Sequence, residues 1–278
     1  LKALFDGETE IDNFSTLTIE QIAFAIVRGG WPASIGESEK IALRHAIDYV
    51  EAIINADVSR VDGIEKNPVR VRALLRSLSR NISTLATIRT IHDDIAMGDA
   101  DESISEKTIS QYLGALDRIF VTENLPAWNP ALRSKTAIRT SPKRQFVDPS
   151  IAAAVMRLTP SRLLEDFNYF GFLFESLCDR DLRIYAEAID GQVFHYRDGS
   201  GLEADAVIAL NDGRWAAVEV KLGSKEIEDA AVHLLELKNK VNTEKMREPS
   251  FLMILTGTEI AYRREDGVYV VPLGCLKD

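Results

Sequence analysis

The sequence predicts a mixed α/β protein, helical through its first half and built around a central mixed sheet toward its C-terminus. Apolar residues recur at helical spacing from about residue 19 to residue 120. Short β-rich runs cluster after residue 190 around an Asn-Asp-Gly turn. The 278 residues are 46% hydrophobic and 27% charged, the balance of a globular chain able to bury real cores. Length alone points to about two units.

Residues 15–30 read as a helix that Thr16 or Thr18 caps. Ile19, Ile22, Ala23, Ile26 and Val27 form its apolar side, and Gly29-Gly30 stops it before Trp31-Pro32. Residues 40–58 form a second helix, with Ile41, His45 or Ile47, Tyr49, Ile53 and Ile54 facing inward. Pro68 closes this first helical segment, residues 1–68. Residues 69–80 and 83–97 continue the helical pattern until the polar turn Gly98-Asp-Ala-Asp-Glu. Ser103 or Ser105 then opens another helix, and Ser103 with Glu106 has the spacing of a capping box. Ile109, Tyr112, Leu113, Leu116, Ile119 and Phe120 line one face of that helix; Lys107, Ser110, Gln111, Gly114 and Arg118 line the other. After a basic stretch, residues 144–148 alternate like a strand. Short helices followed by a basic hairpin give residues 69–150 the layout of a winged helix. In that layout Lys107, Gln111 and Arg118 face nucleic acid; in the plain alternative they are a solvated helix surface.

From about residue 160 the pattern changes. Residues 162–189 hold one or two helices, and 193–197, 203–210 and 215–222 read as strands. Residues 226–241 are helical, and 251–255 and 268–271 are strands again. The order α, β, β, β, α, β, β over residues 151–278 implies one mixed α/β domain with a hairpin at its centre. No internal repeat or low-complexity tract interrupts it.

The net charge of −10 is unevenly spread. Residues 1–69 hold 6 Lys and Arg against 12 acids, residues 70–144 hold 12 against 8, and residues 145–278 hold 15 against 23. Within 131–144 stand Arg133, Lys135, Arg139, Lys143 and Arg144 without an acid. Such a local patch steers a polyanion whatever the total charge; a solvated loop is the bland reading. No apolar run approaches the roughly 18–20 residues of a membrane span. The two cysteines, Cys178 and Cys275, rule out a disulfide framework and suit a reducing cytoplasm. Leu1-Lys-Ala-Leu has neither initiator Met nor secretory pattern and reads as a segment of a longer protein.

The residues that carry chemistry sit on the hairpin. If Asn211–Gly213 is a three-residue loop, Leu210 opposes Arg214, and the same register sets Asp205 opposite Glu219. Alternation puts Glu219 and Lys221 on one face and turns Val220 inward. Two adjacent acids repel unless a proton or cation lies between them, and a hard dication, Mg²⁺ or Mn²⁺, suits oxygen ligands. Lys221 would orient a water and stabilise a phosphate as charge develops. Glu175, on the preceding helix, would add a third carboxylate. Arg197 would contact phosphate, or pair with Glu203 or Asp198. The alternative for the hairpin acids is a set of exposed charges on a solvated sheet face. His45, His92, His195 and His233 lack metal-ligand spacing, Gly-x-Ser-x-Gly is absent, and Cys178 reads as core.

A helix acid, a strand Asp and Glu-x-Lys on the next strand resemble the PD-(D/E)xK nuclease fold. Gly171-x-x-Phe-Glu175, His195-Tyr-Arg-Asp-x-x-Gly-x-Glu203-x-Asp205 and Glu219-Val-Lys221 together resemble the C-terminal domain of unknown function of a family of prokaryotic AAA+ ATPases. Gly29-Gly-Trp-Pro, residues 49–57, 105–113, 141–143 and 148–149 resemble the linker and winged-helix parts of the same family. The resemblance implies a C-terminal nuclease-like domain with Glu175, Asp205, Glu219 and Lys221 as catalytic residues. Asp205, Glu219 and Glu175 would hold Mg²⁺ or Mn²⁺. It implies nucleic acid, chiefly DNA, and the ATPase core of the full-length chain as partners, with homo-oligomers as a further expectation. ATP would bind only that core, since Gly-x-x-x-x-Gly-Lys-Ser/Thr is absent here; residues 1–68 would be a remnant of the ATPase lid. Two alternatives stay open: an inactive nuclease-fold module that binds DNA or regulates, and a protein-interaction segment that assembles the ATPase.

Overall fold

The computed structural model describes residues 1–11, 13–61, 66–98, 104–129, 141–241 and 246–277. They form two compact units. One, helical, comprises Ala23–Asn124 and Ser141–Ser176; the other, built on a sheet, comprises Leu1–Ile22, Leu125–Thr140 and Leu177–Asp278. Among the described residues no helix is long and apolar enough to cross a membrane. The mixed α/β class is as expected.

The chain enters through α1 (Lys2–Phe5), and α2 (Ile19–Arg28) follows. Thr18 caps α2 in a reciprocal box: its Oγ1 accepts from Gln21 N while Gln21 Oε1 accepts from Thr18 N. Gly29, at φ +78°, ends it. The helix expected over 40–58 is broken into α3 (Glu39–Ala42), α4 (Arg44–Ala52), a π turn (Ile53–Asp57) and α5 (Val58–Arg60). Its buried face is Ala42, Ala46, Val50, Ile53 and Ile54, whereas Ile41 and Ile47 are exposed. The small residues let neighbouring helices approach closely, so the inner stripe is offset from the bulkier apolar residues.

Asn67 caps α6 (Pro68–Arg80), whose first residue needs no N–H donor. The next helix, α7 (Ile88–Gly98), starts later than its apolar pattern. Ser83 adopts φ +58° and interrupts the chain, and Thr87 Oγ1 then accepts from Thr90 N as a fresh cap. Ser105, not Ser103, caps α8 (Glu106–Arg118) through Thr108 N at 3.2 Å; Ser103 lies outside the described residues. Ser105→Ala is expected to cost about 1 kcal/mol, read as a lower urea midpoint by circular dichroism. An unmoved midpoint would mean that water serves Thr108 N equally well. Ile109, Tyr112, Leu113 and Leu116 are buried as expected, but Phe120 is exposed because φ +55° turns it off the helix.

Residues 144–148 form no strand. They make a single bridge, Thr122 to Phe146, flanked by Glu123 N to Gln145 O and Val147 N to Val121 O. The basic hairpin itself falls mainly on residues 130–140, outside the described residues. Then come α9 (Pro149–Val155), α10 (Pro160–Leu164) and α11 (Phe167–Glu187). Ile26, Leu74, Leu75, Ile91, Ile109 and Phe170 are among the fully buried side chains of the helical unit.

The sheet has seven strands in the order β1-β6-β7-β5-β4-β3-β2. They are β1 (Asn13–Phe14), β2 (Gly191–Arg197), β3 (Glu203–Leu210), β4 (Trp215–Lys221), β5 (Phe251–Thr256), β6 (Ile260–Arg263) and β7 (Tyr269–Pro272). The pairs β4–β5 and β5–β7 are parallel and the others antiparallel. α12 (Ile227–Lys240) connects β4 to β5 and packs Ala230, Leu234 and Leu237 on Ala217, Leu252, Ile254 and Val270. At the β2 edge, His195 N donates to Pro126 O and Trp128 N to His195 O, so residues 126–128 cover that edge. Trp128 packs against Trp215 with ring centroids 4.7 Å apart and the planes tilted by 34°, a packing role for both indoles.

Candidate functional site

The hairpin of β3 and β4 has the register that a three-residue loop dictates. Leu210 N donates to Arg214 O, Gly213 takes φ +86°, and Ala206 pairs with Val218. Continuing the ladder brings Asp205 beside Glu219. A feature with no trace in the sequence sharpens this. Phe194 pairs with Val207 but Tyr196 with Ala204, so His195 alone opposes Asp205 and Ala206. That extra residue is a β-bulge, a device that re-aims the side chain it carries.

The three hairpin groups converge. Lys221 Nζ lies 2.7 Å from Glu219 Oε2 and 3.5 Å from Asp205 Oδ2. Asp205 Oδ2 also accepts from Val220 N at 2.8 Å, which holds the carboxylate against the start of the Lys221 turn. Glu219 is 2% exposed, so these are not solvated surface charges. By alternation Glu219 shares the face of Trp215 and Ala217, which α12 covers. Val220 is buried too, because both faces of β4 are covered; the expectation that it alone turns inward is corrected. Burial first, and the neighbouring Asp205 charge second, push the Glu219 carboxyl up to about 8 although Lys221 opposes both. Among the described residues no donor reaches the buried Glu219 Oε1, and the carboxyl lies within hydrogen-bond reach of Asp205.

Two hard carboxylates with one unserved oxygen suit a dication that keeps several waters, as Mg²⁺ does. Among the described residues no three His, Cys, Asp or Glu side chains gather as a ligand group. Glu175 belongs to the helical unit, where its Oε1 takes an ion pair from Lys143 Nζ at 2.5 Å.

The basic residues divide. Lys107, Gln111 and Arg118 lie on the exposed face of α8. Arg133, Lys135 and Arg139 lie outside the described residues. Lys143 and Arg144, read from the sequence as nucleic-acid contacts, are corrected: both are buried, at 5% and 8% exposure. Lys143 pairs with Glu175, and Arg144 Nε donates to Ala86 O while its backbone bonds Thr84 and Ser83. Arg197 pairs at 3.5 Å with Glu203 on the neighbouring strand.

Gly29-Gly-Trp-Pro is a structural lock within the helical unit. Gly30 N donates to Asp148 Oδ2, Trp31 Nε1 donates to Ser150 Oγ, and Asp148 Oδ1 caps α9 through Ser150 N.

No curated protein and no solved structure matches the chain. Two families do. Residues 170–276 match a domain of unknown function (DUF4143), which runs from within α11 past β7 and so takes in the whole hairpin. Residues 19–162 match a second domain of unknown function (DUF8612), and since that span is more than half of the sequence, the chain belongs to the DUF8612 family.

Proposed function

We propose that the sheet unit is a metal-dependent nuclease domain of the PD-(D/E)xK kind, in the C-terminal part of a longer AAA+ ATPase-family protein. The convergence of Asp205, Glu219 and Lys221 at one end of the hairpin carries the reading. Mg²⁺ or Mn²⁺ held by Asp205 and Glu219 would supply positive charge against a phosphodiester. Asp205, fixed by Val220 N, presents its carboxylate without a search through rotamers. Glu219, whose carboxyl burial pushes up to about 8, would have to release its proton to hold such a cation. Lys221, partly exposed and tethered to Glu219, holds an ammonium where it orients a water and meets charge developing on a phosphate oxygen. DNA would be met by the exposed face of α8, with Lys107, Gln111 and Arg118. ATP belongs to the core of the parent protein. Cys178 and Cys275 form no disulfide, which fits a reducing cytoplasm.

The test is hydrolysis of single- and double-stranded DNA and of RNA by the full chain with Mn²⁺ or Mg²⁺. Cleavage is expected to fall by about 10²–10³ in both Asp205→Ala and Lys221→Ala. Undiminished cleavage by Asp205→Ala would remove the site. One observation favours a second reading, an inactive regulatory module: Lys221 lies within ion-pair distance of both acids, and while Glu219 holds its proton that single ammonium offsets the charge of Asp205. Absence of cleavage in the parent chain on every substrate would decide for it.

A further inference from the structure

In the helical unit, α4, α6 and the turn after α9 enclose a groove of about 340 Å³, the size of a small-molecule site. Its wall is apolar, with Ile54 and Leu158, and its rim carries Arg72, Arg76 and Arg157 against a single carboxylate, Glu51. Arg72 holds Glu51 in a two-pronged pair at 3.0 and 2.9 Å. Arg76 and Arg157 have no ion-pair partner among the described residues. Three guanidinium groups against one carboxylate leave two positive charges in excess, in a chain whose total is −10.

The backbone adds an independent sign. α9 ends in a Schellman motif: Leu158 N donates to Ala153 O and Arg157 N to Ala154 O. The left-handed position of that motif, φ +54°, is held by Arg157, where glycine is the residue that fits without strain. An arginine there costs about 1 kcal/mol, a cost the chain bears at a residue on the rim of the groove.

We propose that this groove binds a small phosphate monoester carrying an apolar group, with Arg76 and Arg157 on the phosphate and the Ile54–Leu158 wall on the apolar part. A dianion matches the excess charge, and guanidinium forks match phosphate oxygens. The groove shares no residue with the hairpin acids, and the proposal does not depend on the nuclease reading.

The test is calorimetric titration of the full chain with phenyl phosphate and with inorganic phosphate. Phenyl phosphate is expected to bind saturably and about tenfold tighter than inorganic phosphate. Arg157→Gly relieves the backbone and should keep or raise the melting temperature while weakening phenyl phosphate by about tenfold or more. Arg76→Gln, at an exposed helix position, should weaken it similarly without unfolding the unit. Unchanged affinity in Arg157→Gly overturns the proposal, as does the lack of saturable binding up to about 20 mM. Binding of a short oligonucleotide through Arg157, with none of phenyl phosphate, overturns it too, because the phosphate would then come from a nucleic-acid backbone.

Discussion

Glu219→Gln is expected to raise the melting temperature of the chain, by an amount that grows as the pH rises. The Glu219 carboxyl is pushed from 4.5 to about 8, by burial first and by the Asp205 charge next. The folded chain therefore holds a proton that the unfolded chain releases. That contribution is whole below about pH 4.5, shrinks as the pH rises, and is gone above about pH 8. Each unit of difference is worth about 1.4 kcal/mol. Glutamine carries no titrating proton, yet it keeps an oxygen for Lys221 Nζ and fills the same space under α12. The variant should match the parent near pH 5 and exceed it by about 2 kcal/mol or more near pH 8.5. Thermal unfolding followed by circular dichroism across that range reads the difference directly. A constant gap would show that Lys221 keeps Glu219 ionised throughout. The same melts report on cation binding without reference to cleavage. Millimolar Mn²⁺ should stabilise the parent at pH 8 and leave Glu219→Gln unmoved, since a ligand stabilises only the state it binds. Equal stabilisation of both would place the ion elsewhere.

The hairpin was legible because short-range geometry fixes it. Asn211-Asp-Gly213 puts glycine where a left-handed residue is needed, and one loop length then determines every pair down to Ala206 and Val218. What lay beyond the sequence was what long-range packing decides. Trp215-Ala-Ala-Val-Glu-Val is a nearly continuous apolar run, the mark of a strand covered on both faces; only the parallel partner β5 and α12 show that Glu219 is sealed within it. The bulge at Asp205 needs just one extra residue and leaves no compositional sign. Lys143 and Arg144 misled for the opposite reason. Charged side chains are seldom buried, and the partners that make it tolerable here, Glu175 and the Ala86 carbonyl, lie 32 and 58 residues away. β1 and β6 escaped notice because two and four largely exposed residues carry too little alternation to register.

Gly29→Ala should destabilise the helical unit by about 3 kcal/mol, although it adds one methyl group. The backbone at Gly29 has φ +78°, a conformation that costs an alanine about 1 kcal/mol. Gly36, at φ +83° with open space around it, isolates that cost, so Gly36→Ala should lose about 1 kcal/mol and no more. The remainder at Gly29 comes from the lock. A Cβ there would stand 2.5 Å from Trp31 Nε1 and 2.8 Å from Asp148 Oδ1, and it would also overlap Ser150 Oγ. Those atoms are already engaged: Trp31 Nε1 donates to Ser150 Oγ, and Asp148 Oδ1 caps α9 through Ser150 N. They cannot move aside without releasing the indole hydrogen bond and the cap, at about 1 kcal/mol each. α9 is only seven residues long and packs against α4 and α6, so loosening its cap also loosens the groove that Arg157 borders. Parallel urea titrations of Gly29→Ala and Gly36→Ala measure the two costs against each other. If the two variants lose equal stability, the side-chain lock contributes nothing and the glycine answers only to its backbone angle.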